Sequence, residues 1–388
     1  MLTYPLFLCL LIYAVAFATA YLLKPKSNVH FITNNYETID GLRGFLALGV
    51  FIHHAAVWEQ YLQTGEWKTP PTNLYAQLGE TNVSLFFMIT SFLFISKLIY
   101  QKENLPFSWK QFFIGRIFRL VPIYYFTLLL LIIVVFYLSN WNLYTNWVDL
   151  IKSVANWALF TINAIPGVNK YPDTSIIIAR VVWSLPYEWF FYICLPLIGF
   201  VLLKNKPHWL TITISLIVAV GFYTVHGISI KHVLSFSGGA IAPFLLKYQV
   251  VKFNIKHWLV SAVVVLSVFS IGLFNSAHQL ACKVIIALIF TLIACGNDVF
   301  GLLKNQSLKL LGNISYSTYL LHGIVLFITF KTILVGNEFQ NLSSNTFALV
   351  IVILTPIIVV ISYLTYIFIE KPFINLGKKM LHNKTRQK

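Results

Sequence analysis

The chain alternates between long apolar runs and short polar or basic connections. Each run has close to the ~20 apolar residues that an α-helix needs to cross the hydrocarbon core of a bilayer. The pattern therefore predicts an all-α polytopic membrane protein, because helices can satisfy their own backbone polar groups in lipid. We expect about 11 transmembrane helices, over residues 4–23, 41–58, 76–96, 119–138, 183–203, 208–225, 231–247, 258–274, 280–296, 311–333 and 346–369.

The segment 141–172 is the ambiguous part of this pattern. It contains a half-apolar stretch, but Asn156, Asn163 and Pro166 make that stretch a poor membrane span. We interpret it as an outer-surface or re-entrant segment. Counting it as a span would invert the direction of every later helix.

Composition agrees with a membrane protein, since 58% of the residues are hydrophobic and only 10% are charged. The formal charge of +16 does not indicate nucleic-acid binding, because the basic residues are scattered between apolar runs and not clustered on a soluble module. The four cysteines lie within apolar runs and show no C-x-x-C spacing. We expect them to be small buried hydrophobes.

The distribution of basic residues predicts the orientation. The first run has no basic start and is followed by Lys24 and Lys26, which favours an uncleaved first helix with the N-terminus outside. Alternation then places 21 of the 28 Lys and Arg residues, and the C-terminus, in the cytoplasm. This bias agrees with the positive-inside rule.

Arg43 and His54 are the most informative polar pair. At 100° per residue, their spacing of eleven residues is about three turns plus 20°, so both lie on one helix face, about 16 Å apart along the axis. Ionisable groups inside a bilayer cost at least a few kcal/mol, which makes the pair a functional-site hypothesis. The alternative is that each group only stabilises helix packing, by a hydrogen bond to the backbone or to a neighbouring helix. His53 points about 80° away, and we expect it to face another helix or lipid headgroups.

Further polar groups extend this hypothesis. Estimated from rise per residue, His54, Glu188 and His322 fall at similar depth in the outer half of the bilayer, where a carboxylate could orient a histidine base. Arg116 and Arg119 lie at i and i+3 near the cytoplasmic mouth of the fourth span, a pairing that suits phosphates. The sequence thus predicts a cytoplasmic arginine cluster for an anionic donor and a deeper His/Glu cluster for chemistry.

These residues resemble the acyltransferase-3 family of membrane acyltransferases, over roughly residues 38–376. The similar pieces are Leu42–Gly44 through His54, Phe86–Leu93, Arg116–Arg119, Trp183–Glu188, Ser315–His322 and Glu370–Pro372. The resemblance implies a ten-helix core, preceded here by an extra helix and linker (1–37) and followed by a basic cytoplasmic tail (377–388).

The resemblance also implies roles. His54 would be the catalytic base, and Arg43, Arg116 and Arg119 would bind acetyl-CoA as acyl donor, with no metal. Glu188 and His322 map onto family motif positions of less settled role, and their estimated depth beside His54 is the reason to expect them in the catalytic set. The expected reaction is transfer of an acetyl group to a hydroxyl of a surface or lipid-linked glycan, in a bacterial inner membrane. His54 could act as a base or carry the acyl group itself. A transporter of a small anionic or sugar substrate is the alternative, since buried His, Glu and Arg would be equally natural there.

Two departures from the family pattern stand out. Thr90 and Ser91 replace the usual Ser-Gly after the paired phenylalanines, which questions a close backbone approach at that point. Ser84 stands where an acidic residue often precedes the phenylalanines, and Glu80, one turn away on the same face, is a possible substitute.

Overall fold

The computed structural model describes residues 5–23, 36–70, 72–101, 105–250, 254–334 and 343–383, and the regular structure in them is helical. The helices are α1 (Pro5–Leu23), α2 (Glu37–Thr64), α3 (Asn73–Ile99), α4 (Trp109–Leu138), α5 (Trp147–Ala158), α6 (Thr174–Ile177), α7 (Ser184–Leu202), α8 (Trp209–His226), α9 (Ile230–Gly239), α10 (Ile241–Lys247), α11 (Trp258–Ile271), α12 (Leu280–Ala294), α13 (Gln306–Asn313), α14 (Ser315–Ile328), α15 (Ser344–Thr365) and α16 (Lys371–Asn383). Short 3₁₀ turns cover Val181–Trp183 and Leu302–Lys304, and π-helical turns cover Thr329–Ile333 and Tyr366–Glu370.

Within the described residues, eight helical segments are long and apolar enough to cross a membrane. They are Leu6–Leu23, Glu37–Thr64, Asn73–Ile99, Trp109–Leu138, Val181–Leu202, Trp209–His226, Ser315–Ile333 and Ser344–Leu381. The apolar helices α11 and α12 are shorter, with 14 and 15 residues. The prediction of an all-α polytopic membrane protein is confirmed, and each predicted span coincides with helical structure.

The seventh predicted span, 231–247, is broken at Ala240 into α9 and α10. The glycines that end α9 explain the close packing here: a Cβ on Gly239 would lie 2.0 Å from the carbonyl oxygen of Met88 on α3. The close backbone approach to α3 therefore exists although Ser91 replaces the glycine of the family pattern. It occurs at Met88, and the glycine comes from the neighbouring helix.

The last two spans also differ from their predicted bounds. The tenth divides at Ile314 into α13 and α14, and the eleventh continues through a π-helical turn into α16, which ends at Asn383. The predicted basic tail is thus helical in its first part. Residues 24–35 of the predicted linker and 384–388 of the predicted tail lie outside the described residues.

The segment 141–172 contains α5, whose 12 residues extend about 18 Å and are too short to cross a bilayer. Trp147, Val148 and Ile151 expose apolar side chains on this helix. Tyr124 donates a hydrogen bond to the carbonyl oxygen of Trp157, whose indole N–H in turn donates to Pro166. These hydrogen bonds hold α5 in place as a short helix. The segment does not form a membrane-spanning helix, in agreement with the prediction from its sequence.

The described residues form two compact units, the first from those within 1–99, 229–319 and 328–361, the second from those within 100–228, 320–327 and 362–388. In the first unit, α2 packs against α3 and α13. A Cβ on Gly312 of α13 would lie 1.8 Å from the carbonyl oxygen of Asp40, and one on Gly41 would lie 2.0 Å from that of Leu303. Small residues let these backbones touch, as in closely packed membrane helices. In the second unit, α4 packs against α16, and α7 against α8.

Candidate active site

Helix α2 carries Arg43 and His54 on one unbroken helix. An Nη atom of Arg43 lies 3.9 Å from a carboxylate oxygen of Asp40 on the preceding turn, and both side chains are mostly buried, with 16% and 9% exposed. The aspartate partly balances the charge of the guanidinium where little water reaches it. The single stripe predicted from the spacing is therefore preserved, with Asp40 as an additional member.

His54 is oriented by the backbone of its own helix. Its Nδ1 lies 3.1 Å from the carbonyl oxygen of Val50, one turn earlier. A carbonyl oxygen can only accept, so the neutral ring must carry its proton on Nδ1. The lone pair is then on Nε2, which is the form that a general base or a nucleophile requires.

His53 has a different role from its neighbour. Its Nδ1 lies 2.7 Å from the carbonyl oxygen of Tyr75 on α3, and a Cβ on Gly79 would lie 2.7 Å from the ring. The ring is therefore held against α3, as expected for a residue that faces another helix. The His53 and His54 rings meet edge to face, with centroids 4.9 Å apart.

An aromatic cluster beside His54 was missed at the sequence level. We define it as Trp58, Tyr61 and Trp67. Trp58 and Tyr61 follow His54 at i+4 and i+7, so the helical period that connected Arg43 with His54 already indicated them. Trp67 has no such signal, because it lies in the loop after α2 and reaches His54 only through the turn at Gly65.

Glu80, considered as a substitute for the family's acidic residue, is engaged with the chain ahead of α12. One carboxylate oxygen accepts hydrogen bonds from the Ser276 hydroxyl, at 2.6 Å, and from the Ala277 backbone N–H, at 2.8 Å. These contacts anchor the segment between α11 and α12. They assign Glu80 a structural role in the first unit.

The second unit holds Glu188, Arg116 and Arg119. On α7, the Tyr192 hydroxyl donates to the carboxylate of Glu188, one turn away. Arg116, on α4, is close enough to Tyr192 for a side-chain hydrogen bond, and close enough to Glu188 and Arg119 for their charges to interact. The three predicted residues thus belong to one polar cluster, and Tyr192 joins them. The sequence reasoning missed Tyr192, which follows Glu188 at i+4.

The sequence predicts Glu188 in an outer catalytic layer and Arg116 at the cytoplasmic mouth of its helix, and the cluster bears on how far apart these two residues lie. Helix α4 begins at Trp109 and not near residue 119, so Arg116 lies two turns inside it. Arg116 is therefore linked to Glu188 by charge and through Tyr192, and the predicted depths of the two residues in the bilayer stay predictions.

His322, on α14, is completely buried. The next residue, Gly323, allows the backbone at Ile178 to come so near that an added Cβ would lie 2.3 Å from its carbonyl carbon. His322 thus sits in a closely packed part of the second unit. Its expected grouping with His54 and Glu188 at one depth stays a prediction. Among the described residues, no group of three His, Cys, Asp or Glu side chains is placed to hold a metal ion.

Comparison with known proteins gives a consistent match. Residues 36–367 match the family model described as an acyltransferase domain, of the type Acyl_transf_3. Proteins of Staphylococcus aureus strains COL, MSSA476 and MRSA252, each provisionally named an O-acetyltransferase, are 25% identical over 381 residues and cover 89% of this chain. The chain spans 58% of the length of each of these relatives. No solved structure gave a significant match.

Proposed function

This chain belongs to the acyltransferase-3 family of membrane acyltransferases, and from that premise we propose that it transfers an acetyl group from acetyl-CoA to a hydroxyl of a surface or lipid-linked glycan. The names of the staphylococcal relatives support acetyl as the transferred group and oxygen as its acceptor. Family membership is also the reason to prefer acyl transfer to transport.

The hydrogen bond between Nδ1 of His54 and the Val50 carbonyl carries the chemical part of the proposal. With the lone pair on Nε2, His54 removes the proton of the acceptor hydroxyl while the hydroxyl oxygen attacks the thioester carbonyl. The carbon–sulfur bond breaks, and the leaving sulfur receives the proton from His54. A positioned base contributes about 10²–10⁴ to the rate. Attack by Nε2 itself would use the same lone pair and give ping-pong kinetics.

The arginines supply the donor side of the proposal. Arg43, Arg116 and Arg119 present guanidinium groups, which bind phosphate oxygens in a bidentate manner. The excess of basic residues in alternate connections supports donor binding from the cytoplasm of a bacterial inner membrane, with the N-terminus outside and the C-terminus inside. His322 stays in the proposed catalytic set, and so does Glu188, whose contacts support a role in orienting Arg116.

The test is transfer of labelled acetyl from acetyl-CoA in inverted membrane vesicles. His54→Ala should lower incorporation into the glycan or lipid fraction at least ~100-fold at unchanged protein level, because the base is lost. His208→Ser is the matched control, since His208 is exposed and serine can keep its helix-capping role. Transfer retained in His54→Ala would contradict the assignment. Substrate flux without transfer in any variant would favour the transporter.

A further inference from the structure

The aromatic cluster beside His54 packs against further aromatic side chains of the first unit. Trp58 is completely buried, and its ring packs against Phe330, with centroids 5.7 Å apart. Phe330 stacks in turn on Phe347, at 5.0 Å and 9°. Tyr61 lies 5.4 Å from Trp58, edge to face, and the ammonium of Lys331 lies 4.9 Å above the Tyr61 ring. The side chains that contact Trp67 are therefore themselves packed against other side chains of the first unit.

Trp67 forms the upper, partly exposed member of the cluster. Thr64 ends α2, and Gly65 takes the left-handed conformation, with φ of 73°, at the point where the helix stops. The chain turns there and brings Trp67 back beside the helix. The Trp67 ring meets Trp58 at 5.4 Å and 88°, meets Tyr61 at 5.7 Å, and lies nearly parallel to His54, at 6.5 Å and 23°.

This arrangement differs from that of tryptophans in a membrane-interface belt. Trp147, Trp209 and Trp258 are 60–68% exposed, as expected for side chains that contact headgroups. Trp67 is only partly exposed, and three rings of the first unit hold its orientation. An indole held in this way offers a flat apolar surface whose immobilisation costs little entropy on binding.

We propose that Trp67, supported by Trp58 and Tyr61, is the platform on which a sugar ring of the acceptor stacks next to His54. The C–H faces of a pyranose are apolar and flat, so they pack on an indole while the hydroxyls around the ring edge stay available. A ring stacked there has hydroxyls beside the histidine that the proposed reaction needs. The inference rests on the proposed function for the role of His54, and it deepens that function by naming the acceptor contact.

The first arm of the test is kinetic, and uses full-length protein in detergent, acetyl-CoA, and the glycan fraction released from the envelope of otherwise identical cells that lack the protein, so that the acceptor hydroxyls are not yet acetylated. Trp67→Ala should raise the apparent KM for glycan about tenfold and leave the KM for acetyl-CoA unchanged, because only the stack is lost. Trp67→Phe should restore most of the affinity. Trp147→Ala, which removes an exposed tryptophan of α5, is the matched control and should behave as wild type. A fall in kcat at unchanged glycan KM would overturn the platform and leave Trp67 as a positioning residue for His54.

The second arm measures binding without donor, by saturation-transfer difference NMR of the same glycan fraction. The sugar signals should be present with wild type and with His54→Ala, and should be strongly reduced with Trp67→Ala at the same glycan concentration. Binding that depends on Trp67 without any transfer by wild type would refute the proposed reaction and keep the platform. Normal transfer together with equal binding by wild type and Trp67→Ala would refute the platform and keep the reaction. Absence of binding to wild type would also refute the platform.

Discussion

The polar stripe of α2 and the polar cluster of α4 and α7 both orient ionisable side chains, but the orienting contacts come from different places. On α2, Arg43 contacts Asp40 at i−3 and His54 contacts the Val50 carbonyl at i−4, so each group has an orienting contact within its own helix. In the second unit, Arg116 of α4 is held by Tyr192 and Glu188 of α7. A contact within one helix forms whenever that helix forms. Orientation between two helices depends on each partner.

The largest effect is expected for a substitution at the contact between α2, which carries the polar stripe, and α13. Gly312→Ala should prevent normal packing of the first unit, because the new Cβ would lie 1.8 Å from the Asp40 carbonyl oxygen and only backbone movement can relieve the clash. We expect a cost above about 3 kcal/mol, seen as loss of monodisperse protein in fluorescence-detected size-exclusion chromatography.

The matched control is Gly221→Ala on α8, where an added Cβ meets nothing within 4 Å. This change should be neutral or stabilising by up to about 1 kcal/mol, because alanine favours the helix. Normal folding of Gly312→Ala would show that α2 does not require the close approach.

The second comparison concerns the partners of Arg116. Glu188→Ala should lower the thermal midpoint in detergent by an amount that corresponds to about 1.5–3 kcal/mol, since a charged hydrogen-bond acceptor is removed from between α4 and α7. Tyr192→Phe should cost about 1 kcal/mol, because it deletes one hydroxyl and keeps the ring. Equal midpoints for wild type and Glu188→Ala would contradict the idea that the cluster holds these helices.

The third and smallest effect concerns the binding of acetyl-CoA by Arg116 and Arg119. Arg116→Ala combined with Arg119→Ala should raise the apparent KM for acetyl-CoA at least ~10-fold, with a smaller change in kcat, because phosphate contacts are lost. Arg119→Lys gives a milder control that keeps the charge but not the bidentate geometry. An unchanged donor KM in the double variant would leave this cluster with a purely structural role.

The sequence patterns predicted correctly those features that depend on residues of one helical segment. The helical period identified the common face of Arg43 and His54, and extended two turns further it would have included Trp58 and Tyr61. The polar residues and the proline of the segment 141–172 likewise showed, within one segment, that it is a poor membrane span. Span boundaries were less accurate: α4 begins at Trp109, ten residues before the predicted start of its span, so Arg116 lies about two turns inside the helix.

What the sequence by itself determined is the all-helical membrane class, the single stripe of α2 and the family resemblance, because apolar length and helical period are local properties of the chain. Only the tertiary structure decided which helices supply partners: the glycines of α9 at Met88, Tyr192 between Arg116 and Glu188, and Trp67 folded back onto His54. These contacts join residues from different helices or from a loop and a helix. The packing of the folded chain brings these residues together, and the helical period of a single segment does not predict contacts with another segment.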